Sequence, residues 1–293
     1  MKKMKSKKNM KNTKNKSKYP NKYKVKEKFR KFDKNRDVRN VKDQLSNSNT
    51  YAYKKFGQNF LLDTEHVDFM INGLNIVDND FIIEIGPGMG ALTQRLIDKI
   101  GIKNYLAIEI DQEKVNHLVN EFEGINIKNI SILEFNIEEY CKENNISSYK
   151  VIGSLPFNIS KKIIQKFSDT PIQAKRAVFM VQKEVGEDLI AYEHSTFLSI
   201  YLSQYWKVLS TSIIPSRAFF PQPKVDGMVL VLDPNNTDVD LKFIKFVKRG
   251  FTQPRKKIGN VLVLNKDYNL YNNRAHELTI EQWKNLYLDV KRV

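Results

Sequence analysis

The chain has a single cysteine, Cys141, in 293 residues, which excludes an intramolecular disulfide and suits a reducing compartment. Its four histidines, His66, His117, His194 and His276, form no ligand-spaced pair. One cysteine cannot complete a structural zinc site, so no metal is expected. No stretch approaches the roughly 18 apolar residues that a membrane-spanning helix requires. The N-terminus lacks the apolar core of a secretory signal, and no internal repeat is present. The expectation is a cytoplasmic monomer with no membrane partner; organellar targeting by the N-terminal segment stays open.

Acidic residues are scarce where basic ones crowd. Residues 1–50 hold 19 Lys/Arg against 4 Asp/Glu, whereas the rest of the chain holds 30 against 29, so almost all of the net charge of +16 sits in one segment. That segment is rich in Lys and Asn and has no amphipathic period. It reads as a disordered basic arm, dense enough in charge to attract RNA electrostatically. A solvated tail shaped by codon bias is the alternative. A transit peptide fits less well, because such segments are Arg- and Ser-rich.

What is there is organised from about Tyr51 onward. Phe81-Ile82-Ile83-Glu84-Ile85 is a short apolar run ending at a glycine cluster, and reads as a buried strand followed by a helix over Ala91–Ile100. Tyr105–Ile108, Ile130–Leu133, Lys150–Gly153 and Ala177–Val181 read as further strands. Asp111 is placed to cap a helix whose body is Lys114–Phe122. Strands alternating with helices predict an α/β fold with a mainly parallel, doubly wound sheet. Trp206–Leu209 and Gly227–Leu232 look like late strands flanking a Pro-rich loop. After the break at Asp233-Pro234-Asn235-Asn236 the pattern turns helical, with Thr279-Ile280-Glu281-Gln282 as a capping box. The expected organisation is an arm over 1–50, a catalytic domain over 51–234 and a small helical C-terminal domain over 235–293.

Glu84-Ile85-Gly86-Pro87-Gly88-Met89-Gly90 joins a strand to a helix. Gly86, Gly88 and Gly90 let the backbone turn sharply and approach a ligand closely. The spacing is Gly-x-Gly-x-Gly, not the Gly-x-Gly-x-x-Gly of a dinucleotide site. Such a loop suits S-adenosylmethionine, which carries an amino acid and a ribose but no phosphate; a glycine-rich turn that binds nothing is the alternative. Glu109, at the end of the next strand, can accept both hydroxyls of a ribose, a geometry that also fits an NAD enzyme. Asn136, past the third strand, could read an adenine through its amide or simply belong to a turn.

Ser154-Leu155-Pro156-Phe157 follows the fourth strand directly. The exocyclic nitrogen of adenine is a poor nucleophile, because its lone pair is delocalised into the ring. Two acceptors aimed at its hydrogens, the Ser154 hydroxyl and the Leu155 carbonyl, would favour a pyramidal nitrogen and free that lone pair. Pro156 stiffens the loop, and Phe157 offers a face on which an extruded base can stack. An ordinary strand-ending loop with a core phenylalanine is the competing reading.

Together these segments resemble the ribosomal RNA adenine dimethyltransferases, which include the small-subunit dimethylase and the macrolide-resistance methylases of the large subunit. The resemblance runs from about Tyr51 to the C-terminus. Phe56–Asp63 is similar to the family's opening motif, Glu84–Thr93 to its glycine loop and Glu109-Ile110-Asp111 to its ribose motif. Ser154–Ser160 is similar to its catalytic loop and Phe219–Asp226 to its late signature. The resemblance implies a Rossmann-like methyltransferase fold, S-adenosylmethionine as cofactor, ribosomal RNA as partner, and cofactor contacts from Asn59, Leu61, Gly86, Glu109, Asn136 and Ser154. Three positions depart from the family pattern: Asn136 stands where Asp is usual, Ser154 where Asn is usual, and Phe157 where Tyr is usual. Arg249–Asn260 and Arg274–Leu278 resemble the small-subunit branch, and Arg255, Lys256 and Lys257 are natural phosphate contacts. The function this implies is dimethylation of small-subunit rRNA during ribosome assembly. A large-subunit resistance methylase and a weakly catalytic RNA-binding factor on the same fold are the alternatives.

The charge distribution generates the first prediction. Each phosphate neutralised steepens the fall of log affinity with log salt by about 0.7–0.9. If about four arm lysines contact phosphates, deleting residues 1–50 flattens that slope by about 3 for an rRNA fragment and leaves cofactor affinity unchanged. Equal slopes for full-length and truncated protein would show the arm to be electrostatically passive.

Overall fold

The computed structural model describes residues 60–61, 63–170, 172–191, 194–235 and 238–292. The basic arm, Asn59 and most of the opening motif lie outside these residues. The order of elements begins with β1 (Phe60–Leu61), α1 (Thr64–Gly73), β2 (Ile82–Ile85), α2 (Thr93–Ile100), β3 (Tyr105–Glu109), α3 (Gln112–Glu121), β4 (Ile127–Asn129) and α4 (Ile137–Glu143). It continues with β5 (Lys150–Ser154), α5 (Ser160–Asp169), β6 (Arg176–Gln182), α6 (Lys183–Leu189), α7 (Phe197–Tyr205), β7 (Trp206–Ile214), β8 (Phe219–Phe220) and β9 (Gly227–Pro234). Three helices close the chain: α8 (Leu241–Gly250), α9 (Ile258–Leu262) and α10 (Ile280–Arg292).

Seven strands form one sheet in the order β4-β3-β2-β5-β6-β9-β7. The five strands from β4 to β6 run parallel, while β9 is antiparallel to both β6 and β7. Helices cover both faces, as the alternating strands and helices predicted. The cause is visible in the strand sequences, which are apolar on both sides. Ile83, Leu106, Val151 and Phe179 enter one core, and Ile82, Ala107, Ile152 and Val178 enter the other. Two predicted caps are made. Asp111 accepts from the Glu113 N–H at 3.0 Å, and Thr279 exchanges bonds with Gln282 in both directions at 2.8 and 3.1 Å.

One strand falls elsewhere than expected. The edge strand is Ile127–Asn129, and Ile130–Leu133 forms a turn beyond it. Apolar residues at alternate positions continue past the strand end because Ile130 and Ile132 line a cavity and Ile132 also enters the core. Hydrophobicity therefore runs on where pairing with β3 has stopped.

The C-terminal helices build a core of their own around Trp283, which is fully buried, stacks on Phe251 at 5.5 Å and donates to the Ala275 carbonyl at 3.2 Å. Ile200 of α7 belongs to the same cluster, so this helical region docks on the sheet domain through α7.

Lys150, at the start of β5, donates to Asp80 and to the Asn75 carbonyl, both at 2.6 Å, with both charged side chains buried. This pair fastens β5 to the loop that leads into β2. Lys150→Met would leave Asp80 buried without its cation, and is expected to lower unfolding free energy by about 3 kcal/mol in chemical denaturation. A loss below about 0.5 kcal/mol would place the pair among surface-type ion pairs.

Candidate active site

The sheet order creates the site. From β2 the chain steps outward through β3 to β4, then returns to the other side of β2 as β5 and steps outward again to β6. The loops after β2 and β5 therefore leave their strands in opposite directions, and a crevice opens at the carboxyl ends of these two neighbours. A cavity of about 730 Å³ lies there. Gly86–Met89, Glu109, Ile110 and Ser154–Ile159 line it, and Leu61 of β1 reaches it as well.

The glycine loop is held in a shape that other residues resist. Gly86, Gly88 and Gly90 have φ of 60, 59 and 84°. These values lie in the left-handed region that side chains disfavour. The Gly86 N–H donates to the Ile108 carbonyl at 2.9 Å, which ties the loop to the end of β3. A β-carbon on Gly86 would approach the Ser154 carbonyl oxygen to 3.9 Å, so the two loops abut.

Glu109 is 5% exposed at the cavity wall. Its carboxylate accepts from the Gly88 N–H at 3.3 Å and the Asp111 N–H at 3.0 Å. The Asn129 amide supports the same corner by donating to the Glu109 and Ile110 carbonyls at 3.0 and 3.2 Å. Ile110, just beyond, is an exposed apolar side chain on the cavity. Lys114 of α3 is buried in the wall with its ammonium 3.6 Å from Asp111. Burial pulls its pKa down, against the upward pull of Glu109 and Asp111.

Glu84 lies beneath the glycine loop, 1% exposed, in an otherwise apolar strand. The Tyr105 and Thr93 hydroxyls donate to its Oε2 at 2.5 and 2.9 Å. Burial pushes its pKa up to about 7, a rise that these two hydrogen bonds oppose and the nearby Glu109 carboxylate slightly assists. The charge of Glu84 is a conspicuous exception in a buried run, a signal that the strand reading of Phe81–Ile85 passed over.

The loop after β5 is anchored at every turn. The Leu155 side chain is 2% exposed in the core, and its N–H donates to the Met180 carbonyl at 2.9 Å. The Ile159 N–H donates to the Pro156 carbonyl at 3.1 Å, and the Ser160 hydroxyl to the Phe157 carbonyl at 3.3 Å. Phe157 is half-buried, packed on one side against the core. No hydrogen bond to another described residue occupies the Ser154 hydroxyl.

The structure thus brings Leu61, Gly86, Gly88, Glu109 and Ser154–Phe157 to one cavity, with Gly90 closing the same loop. It sets two expected groups apart. Asn136 is exposed, and its Oδ1 caps α4 by accepting from the Glu139 N–H at 3.2 Å; it is not among the residues lining the cavity. Arg255, Lys256 and Lys257 occupy an exposed turn between α8 and α9, with the Lys257 ammonium donating to Asn272 at 2.8 Å. The late signature has a structural partner: Phe219 and Phe220 pair antiparallel with Leu61 and Phe60, which fixes the segment carrying Leu61 at the cavity.

The ribosomal RNA adenine dimethylase family model matches residues 49–288. A ribosomal RNA small subunit methyltransferase A from Francisella tularensis subsp. novicida is 35% identical over 223 residues, covering 73% of this chain and 84% of the relative. Among solved structures, the 23S rRNA methyltransferase ErmE superposes with a TM-score of 0.64 at 19% identity, over 79% of this chain and 99% of that one. A dimethyladenosine transferase from Plasmodium falciparum superposes with a TM-score of 0.63 at 18% identity, over 78% and 96%. These two likenesses concern the fold, whereas the family model spans both loops of the crevice and the C-terminal helices. The chain belongs to the ribosomal RNA adenine dimethylase family.

Proposed function

We propose that this protein dimethylates adenines of small-subunit ribosomal RNA at their 6-amino groups, using S-adenosylmethionine, as a cytoplasmic monomer acting during ribosome assembly. The observation that carries the reading is the meeting of Ser154–Phe157 with Gly86–Gly88 and Glu109 on one cavity. The small-subunit assignment is supported by the 35% identity to a relative named for that subunit.

The residues present fit the cofactor. Glycines in left-handed conformations give a backbone cradle that side chains would fill, Glu109 presents a carboxylate for ribose hydroxyls, and Glu84 offers a buried carboxylate where the cofactor brings positive charge. Gly86, Gly88, Gly90, Glu109 and Leu61 would hold the donor, with Asn59 completing the adenosine side. When bound, S-adenosylmethionine supplies an electrophilic methyl group on a sulfonium centre. Ser154 and Leu155 act on the acceptor: the hydroxyl and carbonyl oxygens accept hydrogen bonds from the two N–H groups of the adenine amine and favour its pyramidal, nucleophilic form. The loop's anchors hold these acceptors in place before the base arrives, so no reorganisation accompanies the step. Phe157 stacks the extruded base, and its core-packed side fixes the ring. No strong base is required, because the alkylated amine is acidic and loses its proton to solvent. Arg255, Lys256 and Lys257, with the arm, would contact phosphates and position the RNA without reading its sequence.

The deciding experiment is methyl transfer to hypomethylated small subunits with the product adenines mapped. Dimethyladenosine in small-subunit rRNA is expected; methylation confined to large-subunit RNA, or none, would refute the assignment.

Within that assay, Phe157→Ala should lower turnover about ten- to hundredfold, the scale of a lost base stack of about 1–3 kcal/mol, with donor affinity nearly unchanged. Ser154→Ala should lower turnover with the fold intact; full turnover would leave the Leu155 carbonyl as the sole polarising group.

A further inference from the structure

The first turn of α3 carries a cation in a place that disfavours one twice over. Lys114 is the third residue of that helix and is 5% exposed. Burial strips water from its ammonium, and a helix N-terminus attracts anions and repels cations. Its neighbours obey that rule: Asp111 caps the helix, and Glu113 lies in the same turn. Lys114 nonetheless forms part of the cavity wall, together with Glu109 and Ile110. What it balances is visible around it. Asp111 spends Oδ1 on the Glu113 N–H, and its Oδ2 stands 3.6 Å from the Lys114 ammonium. Glu109 attracts the same ammonium from the end of β3, and Glu84 repels Glu109 from β2. Glu109 is in turn fixed at both oxygens, Oε1 by the Asp111 N–H and Oε2 by the Gly88 N–H. A carboxylate has about four acceptor positions, so each oxygen keeps capacity for a further donor. Lys114, Asp111 and Glu109 therefore form one charge network at this corner of the cavity.

We propose that Lys114 is a positioning residue for cofactor selection: its ammonium holds the Glu109 carboxylate at the cavity wall, ready to accept from two ribose hydroxyls, and so sets how strictly the site demands a ribose. The inference rests on the donor reading above. Lys114 touches no reacting atom in this scheme and acts through Glu109. Without its cation, three carboxylates would share one low-dielectric corner, and their repulsion would turn the Glu109 side chain away from the ligand. Asp111 links the two ends, because its side chain faces the ammonium while its N–H holds Glu109. The cost of burying a cation at a helix N-terminus is then offset by an acceptor pair fixed before the ligand arrives.

The test is calorimetry of the full chain with S-adenosylhomocysteine and with its analogue lacking both ribose hydroxyls. The parent protein should prefer the complete ligand by about tenfold or more, because the analogue leaves hydrogen bonds to a charged acceptor unmade. Lys114→Met should cut that preference to about threefold or less, with a raised KM for S-adenosylmethionine and kcat within about twofold, since ribose contacts are alike in ground and transition states. In a Glu109→Gln background the same substitution should alter affinity by less than about twofold, because the residue through which it acts is gone. A purely structural lysine would weaken both ligands equally and keep the preference. That result, or an undiminished effect of Lys114→Met in the Glu109→Gln background, would overturn the positioning role. Lys114→Gln carries the same expectations should the methionine variant not fold. A parent protein that binds both ligands equally would also overturn the proposal, whereas one that binds neither would overturn the donor reading itself.

Discussion

The parallel pairing of β2 with β5 is the constraint on which the rest of the site depends. The two strands run side by side from Ile82 and Lys150 to Ile85 and Gly153, although the chain between them builds two other strands first. Because the connections on either side of this seam go opposite ways, the peptides following Ile85 and Gly153 diverge, and the space between them is the cavity. In the proposed function, the loop after one strand is the cofactor cradle and the loop after the other carries the acceptors for the target amine. Neither loop's chemistry is useful without the other within reach, and a hydrogen-bonded strand pair is a stiff way to guarantee that distance.

The crevice is rigid where it borders the sheet and open where a ligand must enter. Backbone N–H groups of Gly86 and Leu155 are spent on carbonyls of Ile108 and Met180. The polar side chains among the residues that line the cavity include Ser154, Glu84 and Glu109. Such preorganisation would serve the proposed reaction, in which the protein forms no covalent bond to substrate and catalysis consists of holding acceptors where hydrogens will be. The Phe219–Phe220 strand contributes at one remove: by pairing with β1 it holds Leu61 against the same space.

Charge is divided between two parts of the molecule with different tasks. The crevice is acidic, with Glu84, Glu109 and Asp111 around a single buried Lys114, which suits a cofactor that is itself cationic. The residues suited to RNA phosphates, Arg255–Lys257, stand on an exposed turn of the C-terminal helices, outside the cavity lining.

The sequence by itself determined the class of fold, most of its strands and the location of both loops of the crevice. Buried parallel strands must be apolar on both faces, and a glycine cluster at a strand end has few explanations other than a tight approach to a ligand. Caps were equally legible, since Asp111 and Thr279 act on neighbours two or three residues away. Local signals failed where a residue's role is set by partners distant in the chain. The edge strand β4 could not be placed by hydrophobicity, because Ile130 and Ile132 are apolar to line the cavity and core, not to pair with β3. Asn136 offers the same amide to a ligand or to a helix terminus, and only the helix beginning at Ile137 decided that its Oδ1 caps the backbone. Glu84 could not be understood from its strand at all: its hydroxyl donors come from two other elements, and its desolvation is a property of everything packed around it. Periodicity and turn chemistry are written in short stretches of chain, whereas desolvation and charge balance are sums over space, and only the tertiary structure performs those sums.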